Sequence, residues 1–539
     1  MGHMVYVHLA IAGFAVLGTL TAILPVRREP FATPEFFSGF LIPELAGQFF
    51  LLYGVLAWGL SALHVGRGTL GHVALGLDAV TLSGLAFLFI NGLLTRRVVE
   101  QELLDTPGFE LQVVSGPMAW CRWWRTLIAI PLPGRGLQVH KNLAYVEDGL
   151  KSHMMDIIVP RKDVKGAPVL VYVHGGAWVL GDKREQGKPM LYEMASRGWV
   201  CVSINYRLSP KATWPDHIVD VLSAISWVKE NIAEYGGDPS FVALGGGSAG
   251  GHLCALAGLA AGDPAFQPGF ESVDTTVQAC VPIYGVMDMT ASKEVGGRYG
   301  PGLRRILETQ VMKDRVAENL ALFEAASPMH RLRPDAPPFL VLHGRNDTLV
   351  PVVVARTFVG LFRGISNAPV AYVELPFAQH GYDTPASPRT TATLRGIASF
   401  LEATREEHRL AGIWKETILE VTSAGGVTHP SELAAEKKGP VWLITGWNPG
   451  GVEREEPLNR AANLELKALL DDAGIEYLAA AGSNPASSWR EPGFCLWGIE
   501  RDRAAQIGEQ FGQLAVYEVE ATGVSVVWSA TQRLTRLSG

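Results

Sequence analysis

The sequence predicts an α/β catalytic body with a mainly parallel sheet, preceded by three membrane-crossing helices and followed by a small α+β domain. Three observations predict it. The first hundred of the 539 residues hold three long runs almost free of charge, apolar runs alternate with amphipathic helices over residues 140–408, and a new pattern starts near Ile413. The boundaries read as 1–98 for the anchor, 99–139 for a juxtamembrane or cap segment, 140–408 for the catalytic body and 413–539 for the last domain.

Composition removes several function classes. Lys plus Arg total 46 against 53 Asp plus Glu, a net charge of −7, so no global basic surface exists for nucleic acid. Charged residues make up 18%, below the roughly 25% usual for soluble proteins, and the deficit lies at the N-terminus. The five cysteines (Cys121, Cys201, Cys254, Cys280, Cys495) form no C-x-x-C pair. That pattern speaks against a disulfide scaffold and a structural zinc.

Val5 to Val26 and Leu45 to Leu63 carry no Asp, Glu, Lys or Arg, and Thr69 to Leu94 carries one acid, Asp78. Each is long enough to cross a hydrocarbon layer of ~30 Å as a helix. A central Asp costs about 2.5–3.5 kcal/mol, but each Leu, Ile, Phe or Val in that run returns about 0.3–0.6 kcal/mol, so insertion wins. The first run has no basic n-region and no A-x-A-like site, so it reads as an anchor and not as a cleaved signal. Arg27 and Arg28 follow the first span and Arg96 and Arg97 the third, against Arg67 on the other side. This bias puts the catalytic body on the cytoplasmic side of a plasma membrane, expected to be bacterial. Glu44 and Asp78 could pair within the membrane, although separate packing roles fit them better. The stretch Ala119 to Arg125, with three tryptophans and two arginines, suits a membrane boundary, a cover over an acyl pocket, or a plain packing helix.

Within the body, Val169–Val173, Val200–Ile204, Phe241–Leu244, Val277–Tyr284, Phe339–Leu342 and Val370–Leu375 read as buried strands. Ile218–Ala233, Ala249–Ala261 and Thr390–Leu401 read as helices between and after them. The chemistry falls at strand ends. Gly246-Gly247-Ser248-Ala249-Gly250 is a G-x-S-x-G between a strand and a helix, where small neighbours let a serine oxygen project and the helix start aims N–H groups at it. The same glycines fit G-x-G-x-x-G, but the next strand ends without the acid that a dinucleotide site requires. Gly176 to Lys183 has roughly the spacing of a phosphate loop but lacks its Gly-Lys pair.

Three further features accompany the serine. His174-Gly175-Gly176-Ala177-Trp178 follows an upstream strand and offers unhindered N–H groups to a developing oxyanion. Asp347, in His343-Gly344-Arg345-Asn346-Asp347, offers a carboxylate, and His380, in Gln379-His380-Gly381, an imidazole. A serine hydroxyl becomes a nucleophile when a base takes its proton, and the base needs a carboxylate to fix its tautomer. Ser248, His380 and Asp347 are the candidates, with Asp383 and Asp288 as reserve acids. His174 is expected to shape the oxyanion loop and His343 to support the acid loop.

These residues resemble the α/β-hydrolase superfamily, in particular its hormone-sensitive-lipase-like carboxylesterase branch. The resemblance rests on H-G-G-A-W, on Asn205-Tyr206-Arg207-Leu208-Ser209-Pro210, on G-G-S-A-G-G, on the late H-G-R-N-D and on the final H-G. It implies ester hydrolysis through an acyl-serine, without metal or organic cofactor, with nucleophile Ser248, acid Asp347, base His380 and oxyanion donors Gly175, Gly176 and Ala249. The chain departs from the branch pattern at Gly247, where Asp is usual, and at Ala177, where a third glycine is common; the latter is closer to formamidase and feruloyl-esterase-like members. Ala291–Leu332 reads as a lid or a connecting helix pair.

Beyond Glu402–Arg409, Val441–Thr445, Phe494–Gly498 and Leu514–Tyr517 read as strands, and Asn459–Ala473 and Arg501–Phe511 as helices. Leu464, Leu466, Leu469 and Leu470 are expected on the apolar side of the first of these helices. The region resembles a small bacterial domain family of unknown function through T-x-W-N-P, through Asn459, Arg460 and Asn463, and through Trp489 to Phe494. These polar residues could line a ligand site or simply serve as turns and caps. The expected partners are a small or lipid-derived ester and the bilayer. Acyl transfer or amide cleavage by the same triad, and a non-catalytic scaffold acting through the last domain, are the alternative functions.

Overall fold

The computed structural model describes residues 2–26, 39–64, 68–109, 136–291, 301–484 and 489–538. Ala119–Arg125 and Cys121 lie outside the described residues. The chain divides into two compact units, one of residues 1–106 and 111–404, the other of 107–110 and 405–539.

The first unit begins with α1 (Gly2–Ile23), α2 (Ala46–His64) and α3 (Thr69–Leu104). All three are long and apolar enough to cross a membrane. Their outward faces leave large side chains uncovered, with Phe14 80% and Trp58 74% exposed. The polar residues inside are partnered. Asp78 accepts from Tyr53 Oη at 2.6 Å and lies 2.7 Å from His8 Nε2. Glu44 instead pairs with Arg389 Nε at 2.7 Å and accepts from Ser387 Oγ at 2.6 Å. The Glu44–Asp78 pair is therefore not formed, because each acid has a nearer donor.

Helix α3 is longer than the expected span. Its last turns pack on the body, where Val99 and Leu103 are buried and a Cβ at Gly396 would meet Val99 Cγ1 at 2.3 Å. The body is an eight-stranded sheet in the order β1-β2-β4-β3-β5-β6-β7-β8. The strands are β1 (Leu137–Ala144), β2 (Met154–Pro160), β3 (Ala167–Val173), β4 (Val200–Ile204), β5 (Gly237–Gly247), β6 (Ala279–Ile283), β7 (Phe339–Gly344) and β8 (Val370–Leu375). From β4 to β8 every neighbouring pair is parallel, whereas β2 is antiparallel to both β1 and β4. Parallel strands buried on both faces read as unbroken apolar runs, and β3 and β4 are buried at every position. The edge strand β1 is only partly buried and carries His140, Lys141 and Asn142, which hid it from a search for apolar runs.

The helices among these strands are α4 (Lys188–Ser196), α5 (Asp216–Asn231), α6 (Ala249–Leu259), α7 (Pro301–Ile306), α8 (Leu320–Ala325), α9 (Val352–Arg363) and α10 (Pro388–Lys415). Helix α10 joins the expected helix Thr390–Leu401 to the helical, charged stretch Glu402–Arg409 and runs on to Lys415, since Glu402–Lys415 contains no Pro and its lone Gly412 is tolerated.

The second unit holds an antiparallel eight-stranded sheet in the order β10-β9-β12-β13-β11-β14-β15-β16. Its elements are β9 (Ile418–Ser423), β10 (Gly426–Thr428), α11 (Pro430–Lys437), β11 (Val441–Ile444), α12 (Glu456–Asp472), β12 (Tyr477–Ser483), β13 (Arg490–Leu496), α13 (Arg501–Gln510), β14 (Ala515–Glu520), β15 (Gly523–Trp528) and β16 (Leu534–Ser538). Leu466 and Leu470 are buried under α12, but Leu464 is 67% exposed, because it lies about 200° around the helix from Leu466.

The Glu44–Arg389 pair is buried on both sides. Removing one member of such a pair strands the other and costs about 3–5 kcal/mol, while replacing both can be nearly neutral. Arg389→Ala should therefore lower the unfolding free energy of the detergent-solubilised protein by about that amount, and Glu44→Gln with Arg389→Met should recover most of it; thermal and denaturant melts read both.

Candidate active site

The parallel strands deliver the candidate residues to one sheet edge. Ser248, Tyr284, Asp347 and His380 follow β5, β6, β7 and β8, four neighbours in the sheet. Ligands of open α/β sheets bind beyond these carboxyl ends.

Ser248 sits between β5 and α6 with φ 58° and ψ −121°. A non-glycine residue in that region costs about 1–3 kcal/mol, so the surroundings must hold it. Ser248 N donates to Ile283 O at 2.9 Å, and Ser248 O accepts from His252 N at 2.9 Å. Glycine permits the close approaches. A Cβ at Gly250 would meet Val173 O at 2.0 Å, and one at Gly246 would meet Gly250 O at 2.4 Å. A Cβ at Gly247 would lie 2.9 Å from the Tyr284 hydroxyl, which leaves no room for the Asp usual at that position.

His380 and Asp347 meet directly, with Nδ1 2.8 Å from Oδ2. With the ring proton on Nδ1, Nε2 is the basic nitrogen; this tautomer is assigned from the carboxylate contact. Asp347 Oδ1 accepts from Leu349 N at 2.9 Å and Val350 N at 2.8 Å. Burial would raise the Asp347 carboxyl, but the charge of His380 and the hydrogen bonds of His343 and His380 outweigh it and hold the group well below the usual carboxylate range. His343 supports this loop: its Nε2 lies 2.9 Å from Val350 O and 3.3 Å from Asp347 Oδ2.

Tyr284 lies between the serine turn and this dyad. The Ser248 N–H is bonded to the residue before Tyr284, and the Tyr284 ring centroid lies 4.5 Å from that of His380. Sequence reasoning missed Tyr284; its only signal is its place as the last residue of a buried strand run. The Tyr284 hydroxyl donates to Asp383, whose carboxyl burial pushes up. Of the two reserve acids, Asp383 therefore serves Tyr284, and Asp288 Oδ1 accepts from Thr290 N and Oγ1 at 2.8 and 2.6 Å.

The oxyanion loop leans on the serine turn, since a Cβ at Gly175 would meet Gly247 O at 2.6 Å and Ser248 Cβ at 3.0 Å. One expected donor is engaged: Gly175 N donates to Gln186 Oε1 at 2.8 Å. Gln186 follows the loop and turns back over it, which the sequence does not announce. The Gly176 and Ala249 N–H groups have no acceptor among the described residues. Gly176 has φ 119°, and a Cβ there would meet Leu180 O at 1.9 Å. His174 shapes the loop as expected. It stacks on Tyr206 at 4.5 Å, its Nδ1 lies 2.7 Å from Gly175 O, and burial pushes its pKa down. Trp178 Nε1 donates to His252 Nδ1 at 3.3 Å, and burial pushes His252 down to about 4. Asn205 also ties the loop, its Oδ1 accepting from Lys183 N at 2.7 Å. Among the described residues no cluster of His, Cys, Asp or Glu could hold a metal.

Three N-terminal segments touch the loops that carry Asp347 and His380. Asn346 Nδ2 donates to Ala22 O and Ile23 O, at 3.1 and 3.2 Å, at the end of α1. A Cβ at Gly39 would lie 3.3 Å from Gln379 Nε2, and one at Gly381 would lie 3.1 Å from Phe40 Cε2, so residues 39–40 flank His380 on both sides. Phe87 of α3 packs edge-on against Phe377 at 5.1 Å.

A carboxyl held low in the folded chain stabilises it above its unfolded pKa of about 3.9, and this contribution fades as the pH falls below that value toward the folded pKa. The stability difference between wild type and Asp347→Asn should be largest near neutral pH and should shrink below about pH 4 in denaturant melts; a pH-independent difference would contradict the assignment.

Comparison with known proteins bears on the fold of the central body and on its class. Residues 155–360 match the BD-FAE family model, and residues 444–516 match a family described as a protein of unknown function, DUF3293. A probable carboxylic ester hydrolase LipM of Mycobacterium tuberculosis (strain ATCC 25618 / H37Rv) is 48% identical over 278 residues, 50% of this chain and 64% of that one. Esterase LipQ of the same strain is 50% identical over 44% of this chain and 55% of its own length. A probable isoprenylcysteine alpha-carbonyl methylesterase ICME of Oryza sativa subsp. japonica is 31% identical over 39% of this chain and 50% of its own. The chain thus spans between half and two thirds of the length of these relatives. The strained serine turn, the strand order and these matches together show an α/β-hydrolase fold for the central body, within which residues 155–360 are similar to the BD-FAE family, while residues 444–516 are similar to DUF3293.

Proposed function

We propose that the protein is a membrane-anchored serine hydrolase that cleaves carboxylic esters through an acyl-serine. The observation that carries this reading is the 2.8 Å contact of His380 with a buried Asp347, beside a serine held at a strained strand-to-helix turn. Ser248 Oγ attacks the ester carbonyl while His380 Nε2 takes its proton, and Asp347 stabilises the imidazolium that forms. The Gly176 and Ala249 N–H groups receive the oxyanion; a single such donor is worth about 3–4 kcal/mol in the transition state. The imidazolium then protonates the leaving alkoxide, and water, deprotonated by His380, releases the acid and restores Ser248. The ester-hydrolase names of the relatives support this chemistry.

The uncovered apolar faces of α1, α2 and α3 support insertion into a bilayer, since apolar surface on that scale needs a cover. The arginine bias supports a cytoplasmic body. The contacts of Asn346, Gln379 and Gly381 with membrane-side segments support an active site whose acid and base loops lie near the bilayer surface, which favours amphiphilic esters that reside there.

Ser248→Ala should lower kcat on p-nitrophenyl esters by at least ~10⁴ while leaving the melt unchanged; near wild-type turnover would exclude Ser248 as the nucleophile. Asn346→Ala, which unfastens the acid loop from α1, should lower kcat on a water-soluble ester by up to about 100-fold with little change in KM. A change in KM alone would show that Asn346 acts on substrate binding and not on the dyad.

A further inference from the structure

Two sequence motifs of the C-terminal unit have no part in the hydrolase: T-x-W-N-P, beginning at Thr445, and the stretch Trp489 to Phe494. The fold brings them to one cavity of about 120 Å³. We infer that this cavity binds a small organic cation, an ammonium or guanidinium group, between the Glu491 carboxylate and the rings of Trp414, Trp489 and Tyr517.

Strand alternation builds the hollow. Leu443, Thr445, Ala480, Gly482, Glu491, Gly493, Ala515 and Tyr517 occupy alternate positions on β11 (with the residue after it), β12, β13 and β14, and so share one face of the sheet. The floor is made of the small residues Ala480, Gly482, Gly493 and Ala515. Gly493 must be small, since a Cβ there would meet Ile444 O at 2.5 Å and Thr445 Cβ at 3.0 Å. Trp489 closes toward this floor: its Cη2 would lie 3.7 Å from a Cβ at Gly482. Trp414 is braced by Trp528, ring centroids 5.0 Å apart. A hollow of this size, floored by small residues, suits a small group such as a methylated ammonium or a guanidinium.

The charge pattern selects the ligand. Glu491 Oε1 accepts from Asn448 Nδ2 at 2.7 Å and from Trp489 Nε1 at 3.2 Å, which fixes the carboxylate in the wall. Oε2 receives no donor from the described residues, and no described Lys or Arg pairs with Glu491. An aromatic wall with one unneutralised carboxylate attracts cations through the ring faces as well as through the charge. Neutral apolar molecules would leave the carboxylate desolvated, and anions would be repelled.

A pH dependence follows. Burial pushes the Glu491 carboxyl up, and a bound cation would favour its charged form, so binding should release a proton and weaken in acid. Tyr517 is the other titratable group lining the hollow; burial pushes it up to about 12, so it stays neutral throughout this range.

Saturation-transfer NMR on the full chain in maltoside micelles, which carry no cation, tests the proposal with tetramethylammonium and methylguanidinium as probes. At least one probe should show saturable transfer at pH 7 that weakens as the pH is lowered toward 5. Tert-butanol, of similar shape without charge, and acetate should show none. Glu491→Gln and Trp489→Leu should each weaken binding about tenfold, with ester turnover and the melt retained. Absence of saturable transfer from both cations to the wild type would overturn the inference whatever the variants do, as would equal transfer from tert-butanol or unchanged binding in a folded Glu491→Gln protein. Because the readout is binding, failure of the ester-hydrolase reading would leave this result standing, and the reverse also holds.

Discussion

The site depends on a backbone approach that only glycine allows. Strand β3, the turn after β5 and the first turn of α6 lie so close that a Cβ at Gly250 would overlap Val173 O, at 2.0 Å, and one at Gly175 would press on Gly247 O, at 2.6 Å. This crowding places the oxyanion loop against the serine turn and keeps Ser248 in a conformation it would otherwise leave. Electrostatic stabilisation of a transition state requires donors already in place, and in the proposed mechanism backbone packing would supply them without help from flexible side chains.

The acid and base depend on a different set of contacts. Asp347 is fixed by two backbone N–H groups and two imidazoles, and the loops on which Asp347 and His380 ride rest on the end of α1, on residues 39–40 and on Phe87. The buried Glu44–Arg389–Ser387 contact lies beyond the base loop and ties the same region to α10. The apolar N-terminal helices and the central body therefore share one packed unit, and contacts from the N-terminal segments hold the loops that carry Asp347 and His380.

Much of this was legible in the sequence. Buried parallel strands leave continuous apolar runs, so β3, β4, β7 and β8 stood out, and the serine, acid and base could be placed because they follow such runs in chain order. The residues that were missed act through side chains folded back from loops. Gln186 takes the Gly175 N–H, and Tyr284 joins the serine turn to His380, yet neither belongs to a spaced motif. The edge strand β1 was hidden by its polar residues, and β9, β10, β15 and β16 were missed because short antiparallel strands with one wet face give a weak periodic signal. Asp78 and Glu44 illustrate the limit of pairing by residue type: both acids were visible, but the partners His8, Tyr53 and Arg389 are set by helix rotation and by tertiary contact.

The central claim is that one hydroxyl, and no other group in the chain, is activated for attack on a carbonyl. Peptide mass spectrometry after reaction with a fluorophosphonate tests it most directly, because the reagent forms a stable adduct only with a serine whose proton can be removed and whose oxyanion is accommodated. The account predicts one adduct per chain, on Ser248, lost in His380→Ala. An adduct on another residue, or none on a folded protein, would contradict it.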